Sequence, residues 1–128
     1  MSGREDFQYA ILRVVPQVER GESLNAGVVL HSRRLRFLGV RTEVDEVALN
    51  AMAPECDPEE VRTHLRVLEL VAAGDPEGGP IAALPPSERF HWLTAPASTI
   101  VQASPVHTGM TADAAAELDH LFERLVRR

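Results

Sequence analysis

The sequence predicts an α+β fold over residues 1–128: a single domain with a mostly antiparallel sheet of about four strands and three to four helices packed on it. In the N-terminal third, three apolar, β-branched segments follow one another with short polar connections, which is typical of an antiparallel meander. In the remainder, apolar residues recur with a helical period between cap residues. A run of strands followed mainly by helices indicates α+β rather than alternating α/β.

The first three strands are predicted from composition and alternation. The segment Phe7–Val15 is apolar on both faces and stops at Pro16, so we place it in the centre of the sheet. The second strand is Leu24–Leu30, in which Gly27 indicates a bulge or the close approach of another backbone. The third strand is Leu35–Thr42.

Two helices are predicted after the meander. An apolar stripe over Val44–Met52 predicts the first, with Thr42 and Asp45 as its capping pair. The second has the clearest boundaries in the chain, since it begins after Asp57 as N-cap and ends at Gly74.

The last part of the chain alternates short elements with connections. In chain order it predicts a turn-rich loop (Gly74–Pro86), a short helix (Pro86–Leu93), a fourth strand (Ser98–Ala103), a second loop (Ser104–Met110) and a final helix capped by Thr111. The short helix is expected to bury Phe90 or Trp92.

Charge and apolar content exclude several classes of protein. The net charge is −6, and all 13 basic residues are arginines. An acidic balance argues against a nucleic-acid binder and against a polybasic membrane patch. No apolar run approaches the length of a membrane span, and the polar N-terminus does not resemble a secretory signal. The predicted compartment is the cytoplasm.

Metal and cofactor chemistry is not expected from the residue spacing. Cys56 is the single cysteine, so neither an internal disulfide nor a cysteine cluster is predicted. The five histidines show no metal-ligand spacing, and no glycine-rich phosphate loop or dinucleotide fingerprint is present. We therefore predict neither a metal site nor a cofactor.

The best candidate site in the sequence is the segment Ser104–Thr111, a polar loop leading into a helix start. Backbone donors at a helix N-terminus favour anions, and a histidine adds a charge that switches near neutral pH. If this loop folds back beside the first two strands, arginine and amide donors from the hairpin can join it to bind a phosphate or carboxylate. The candidate ligand-binding residues are Arg13, Arg20, Glu22, Asn25, Ser104, His107 and Thr108.

Each of these residues also has a structural interpretation. Ser104 and Thr111 are equally suited to capping and turns. An arginine within an apolar strand needs a partner, and an ion pair between Arg13 and Glu22 is one solution. Asn25 is suited to bonding the backbone of a turn.

Two further features are weaker signals. Arg33, Arg34 and Arg36 form a basic hairpin tip that could contact phosphate or lie in solvent. A nucleophile built from Ser104 and His107 would need an orienting carboxylate and an oxyanion hole, which the spacing does not supply.

Four segments together resemble a known family. They are Tyr9–Pro16 (YAILRVVP), Arg20–Glu22 (RGE), Asn25–Leu30 (NAGVVL) and Ser104–Gly109 (SPVHTG). In this order they resemble the bacterial domain-of-unknown-function family 3037 over nearly the whole chain. The resemblance implies a small bacterial protein with no assigned activity. Members are often encoded beside a kinase resembling the HipA type, so the resemblance also implies either a protein partner of this type or a pathway shared with it.

Two functional hypotheses follow. The first is a non-enzymatic accessory domain that binds a protein partner. We favour it because the sequence shows no recognisable general base, nucleophile or set of metal ligands. The second is a domain or enzyme that binds a small anionic ligand where Arg13, Arg20, Asn25 and His107 converge.

Overall fold

The computed structural model describes residues 3–97 and 99–127. Within these residues, five strands form one sheet with four helices packed against it, which confirms the α+β fold. The strands are β1 (Glu5–Val14), β2 (Leu24–Ser32), β3 (Phe37–Thr42), β4 (Val101–Ala103) and β5 (His107–Thr111). The helices are α1 (Glu46–Met52), α2 (Pro58–Ala73), α3 (Pro86–Thr94) and α4 (Ala114–Leu125).

The sheet is organised around β1, as its two apolar faces predict. It pairs antiparallel with β2 on one side, and β3 continues the meander beyond β2. On its other side β1 pairs with two short strands that lie end to end. These are β4, opposite Leu12–Val14, and β5, opposite Glu5–Tyr9. The central position predicted for the first strand is therefore confirmed.

The C-terminal strands differ from the sequence prediction. The prediction of a loop over Ser104–Met110 is wrong for most of its length, because residues from His107 onward form β5. Thr111 is not the cap of the last helix, since the Asp113 carboxylate accepts the capping hydrogen bond from the amide of Ala116 at 3.1 Å. The predicted fourth strand is confirmed over Val101–Ala103, while Ser98 lies outside the described residues.

Local capping chemistry places α2 where it was predicted. The Asp57 carboxylate accepts a hydrogen bond from the amide of Glu59 at 2.9 Å, and Gly74 ends the helix with φ of 71°. The cap predicted for α1 is wrong by three residues, because the side chain of Asp45 and not that of Thr42 accepts from the first turn. No helix in the described parts of the chain is both long and apolar enough to span a bilayer.

Side-chain alternation along β1 gives the sheet two different faces. Its even-numbered residues pack with α1, α2 and α3, and the cluster includes Leu12, Val14, Leu49, Val61, Leu65 and Phe90. The opposite face packs against α4 through Phe7, Val28, Leu30, Leu118 and Leu121. Because α4 lies mainly over β2 and β3, it leaves the same face of β1, β4 and β5 partly uncovered.

Candidate functional site

Arg13 and Asn25 meet at an irregular point of the sheet. They are directly opposite each other on β1 and β2, one step after the register shifts at Leu12, and Arg13 also lies opposite Gln102 of β4. Directly opposite residues project to the same face of a sheet, here the face that carries α4. The side-chain amide of Asn25 donates to the carbonyl oxygen of Leu125 at 3.0 Å. Asn25 therefore bonds backbone, and it ties the sheet to the end of α4.

Arg13 is half-buried, and its side chain forms no hydrogen bond or ion pair with any described residue. The predicted ion pair between Arg13 and Glu22 is wrong, because Glu22 accepts from Nε of Arg20 at 2.7 Å instead. That hydrogen bond and the Arg20 charge hold the pKa of the exposed Glu22 carboxyl below its usual value. Arg20 and Glu22 lie beside Met52 at the end of α1, so they do not join Arg13.

Ser104 is buried at the junction of β4 and β5 and has a structural role. Its hydroxyl accepts a hydrogen bond from the amide of Ile11 at 2.8 Å and donates to the carbonyl of Pro105 at 2.9 Å. Its own amide donates to the carbonyl of Ile11 at 2.8 Å. With its hydroxyl and amide engaged, Ser104 fixes the short break between the two strands and is not oriented towards a ligand.

His107 and Thr108 are neighbours in β5 and therefore project to opposite faces of the sheet. His107 lies opposite Tyr9, and their ring centroids are 5.2 Å apart. This is the face of Arg13, but Tyr9 and Arg13 are four residues apart on β1, which corresponds to about 13 Å. Thr108 lies opposite Gln8 on the other face. The predicted site residues thus occupy several separate places and do not converge on one small anion.

The partly uncovered area beside α4 is called the open patch below. It comprises Tyr9, Ile11, Arg13, Gln102 and His107. The first four are half-buried and His107 is exposed. The open patch therefore combines two aromatic rings, an aliphatic side chain and an arginine that lacks a polar partner among the described residues.

The opposite face carries a cleft that the sequence interpretation missed. It lies between α3 and the adjoining ends of β1, β2 and β5, has a volume of about 730 Å³, and is called the α3 cleft below. Its lining includes His31, Arg33, Arg34, Phe90, Thr94 and Thr108. A signal that could have found it is a histidine that directly follows the apolar run Val28–Leu30 and shares a face with Val29 if the strand continues.

His31 is the most buried titratable group in the α3 cleft, with 8% of its surface exposed. Its ring packs on Phe90 with centroids 5.3 Å apart. Burial, and then the nearby charge of Arg89, lower the pKa of His31. Arg89 stands there because its guanidinium donates to the carbonyls of Val71 and Ala72 at the end of α2.

The comparison with family models decides to which family the chain belongs. Residues 9–126 match the model described as a protein of unknown function, DUF3037. The chain belongs to this family. The match includes the first hairpin and the β5 segment on which the resemblance was based. No curated protein and no solved structure matches the chain.

The family has no assigned function, so the side chains are the remaining indication of the chemistry. Among the described residues, no group of three or more histidine, cysteine or acidic side chains is arranged to hold a metal ion. The lone thiol of Cys56 is half-buried, and its burial together with the charges of Glu60, Glu55 and Asp57 raises its pKa. A raised thiol pKa disfavours the reactive thiolate. The open patch and the α3 cleft remain as candidate surfaces.

The lowered pKa of His31 predicts a pH-dependent loss of stability. In the unfolded chain His31 takes up its proton near pH 6.5, whereas the folded protein takes it up only at lower pH. The unfolded state therefore binds more protons below about pH 7, so the free energy of unfolding falls as the pH falls. Urea titrations at pH 7.5, 6.5 and 5.5 should show a steeper loss for the wild type than for His31→Gln. Parallel curves for the two proteins would contradict this assignment.

Proposed function

We propose that this protein is an accessory domain that binds a protein partner through the open patch and catalyses no reaction of its own. The observation that carries the proposal is Arg13. The residue is half-buried in the central strand of the sheet, yet its guanidinium has no polar partner among the described residues. A carboxylate from another chain would give this guanidinium the charge-assisted hydrogen bonds that the fold does not supply.

The neighbours of Arg13 suit a protein surface. Tyrosine and arginine are among the residue types that dominate the binding energy of protein interfaces, where they sit in desolvated surroundings. Here Tyr9, stacked on His107, and Ile11 provide an apolar area next to the guanidinium. The expected partner therefore presents an apolar segment that bears one acidic side chain, with the carboxylate over Arg13.

The family resemblance suggests which partner to test first. A kinase resembling the HipA type is the partner that it implies, and we propose such a kinase as the ligand of the open patch. The second hypothesis, a small anion held by Arg13, Arg20, Asn25 and His107, has no comparable support. Arg20 is paired with Glu22, and Asn25 donates to the end of α4.

Binding of the purified protein to such a kinase at micromolar concentration is the direct test. The variant Arg13→Ala should raise Kd at least about tenfold, which corresponds to about 1.4 kcal/mol, because the partner's carboxylate would lose its charge-assisted hydrogen bonds. Isothermal titration calorimetry measures both values.

The matched control is Arg66→Ala, which removes an exposed arginine from α2 in the layer on the other side of the sheet. It should leave Kd unchanged. No association of the wild-type protein would reject the kinase as partner. Association that Arg13→Ala does not weaken would reject the open patch as the binding surface.

A further inference from the structure

We propose that the α3 cleft is a second binding site, separate from the open patch, for a small organic anion that has an aromatic body. The ligand's ring would lie against His31 and Phe90 in the interior, and its anionic group would face Arg33 and Arg34 at the mouth. An aromatic carboxylate and a nucleoside monophosphate share this chemistry, and the experiment below distinguishes them.

The unpartnered imidazole of His31 is the first argument. The residue is 8% exposed, and its imidazole forms no hydrogen bond within the described parts of the chain. Nevertheless, no fully enclosed side-chain nitrogen or oxygen of the described residues lacks a hydrogen-bond partner. Both imidazole nitrogens must therefore reach the protein surface, which at His31 is the wall of the α3 cleft. A ligand in the cleft that carries a matching donor or acceptor can therefore bond an imidazole that has no partner within the fold.

The walls around His31 favour an aromatic body. The ring of Phe90 lies against the imidazole, with an interplanar angle of 32°. Val106, which is 40% exposed, adds an aliphatic surface to the lining of the same cleft. Aromatic groups gain from offset or tilted stacking beyond the burial of their area. The volume of about 730 Å³ lies within the range of small-molecule sites.

Hydroxyl groups supply orienting contacts on both sides of the cleft. Thr94 of α3 and Thr108 of β5 both line it. The Thr94 hydroxyl already donates to the carbonyl of Phe90 at 2.9 Å, so its oxygen can accept a hydrogen bond from a ligand. A few polar groups within a mostly apolar cleft are typical of sites that fix a ligand's orientation.

The charge at the mouth selects an anion. Arg33 and Arg34 lie on the turn between β2 and β3 and are exposed. Arg33 has no ion-pair partner among the described residues, and Arg34 is 3.9 Å from Glu5, beyond hydrogen-bond distance. The lining contains two arginines and one carboxylate, that of Asp6, and Arg33 supplies positive charge that no acidic side chain of the described residues pairs. The whole chain has net charge −6, so this local excess of positive charge favours an anionic ligand at the cleft.

The binding experiment uses the full chain and five probes: AMP, GMP, benzoate, indole-3-acetate and inorganic phosphate. Ligand-observed NMR and titration calorimetry should detect at least one organic anion with Kd of 1 mM or tighter, and phosphate at least about tenfold more weakly, because it lacks the aromatic body. Binding of the nucleotides alone identifies a phosphate ester as the ligand, and binding of the aromatic acids alone identifies a carboxylate. No binding by any organic probe, or equal binding of phosphate, would overturn the proposal.

Three variants locate the bound anion. The double substitution Arg33→Ala with Arg34→Ala changes exposed residues, so it should fold normally and raise Kd at least about tenfold. His31→Gln should also weaken binding, but it changes a buried position. Arg36→Asn is the matched control, because Arg36 lies on the same turn but outside the cleft lining. Its φ of 54° is one that asparagine tolerates. If the double variant binds as the wild type does, or Arg36→Asn is equally impaired, the α3 cleft is not the site.

Discussion

Replacement of Phe122 by alanine is expected to lower the free energy of unfolding by about 4 kcal/mol, one of the two largest losses that we expect from single substitutions. Phe122 is 1% exposed on α4. Its buried ring lies against the Arg41 guanidinium of β3, so its removal leaves a cavity in addition to the lost burial. For a domain of ordinary stability, such a loss is a large part of the total. Urea unfolding followed by circular dichroism at 25 °C measures the loss.

Two arginines add to the role of this ring. The guanidinium of Arg41 lies 4.1 Å from the ring centroid and that of Arg127 lies 5.3 Å from it. Arg41 also pairs with Asp119 at 3.0 Å, and Arg127 pairs with Glu43 at 3.0 Å. The ring therefore holds two cations that link α4 to the sheet and to the segment after β3.

The control for this prediction is Phe122→Leu. Leucine retains most of the buried volume but gives up the cation–π contacts, so the expected loss is about 1–2 kcal/mol. A loss below about 1 kcal/mol for Phe122→Ala would contradict the view that α4 is fixed through this side chain.

The parts of the fold that sequence predicts well are those with local causes. The helix α2 begins and ends as expected, because Asp57 and Gly74 satisfy its terminal backbone groups without help from distant residues. The central position of β1 follows from apolar residues on both faces, since only a covered strand can bury both. In each case the signal and its physical cause lie in the same few residues.

The strand β5 could not be predicted, because its cause is not local. Its five residues, His107–Thr111, show no apolar alternation and contain Gly109, which favours a turn. They become a strand by pairing with Glu5–Tyr9, about a hundred positions earlier. Gly109 is required there because a Cβ atom would lie 2.6 Å from the ring of Phe7. A residue that looks like a turn signal is in fact a packing requirement of a distant aromatic ring.

The candidate site illustrates the same limit. The sequence correctly marks Asn25 and Ser104 as polar residues that need partners, but the partners are the backbone groups of Leu125, Ile11 and Pro105. For Asn25 and the Ser104–Ile11 bond, these contacts span 100 and 93 positions. Polar residues in apolar segments thus predict that hydrogen bonds exist, whereas only the fold decides between a structural bond and a ligand site. Arg13 stands out because the fold gives it no such bond among the described residues.

The second large effect is expected for Gly27→Ala, with a loss of about 3 kcal/mol in the free energy of unfolding. Gly27 lies in β2 between Leu12 and Thr42 at the register shift, which confirms both a bulge and a close backbone approach. A Cβ atom here would lie 2.8 Å from the carbonyl oxygen of Arg41, and this backbone atom can move only if the ladder between β2 and β3 opens.

The control is Gly21→Ala, where φ is 70° but no atom lies within 4 Å of the added carbon, so only the conformational cost of about 1 kcal/mol applies. Urea unfolding of both variants measures the loss in the free energy of unfolding. A smaller loss for Gly27→Ala than for Gly21→Ala would contradict the prediction, because it would show that the sheet accommodates the added carbon.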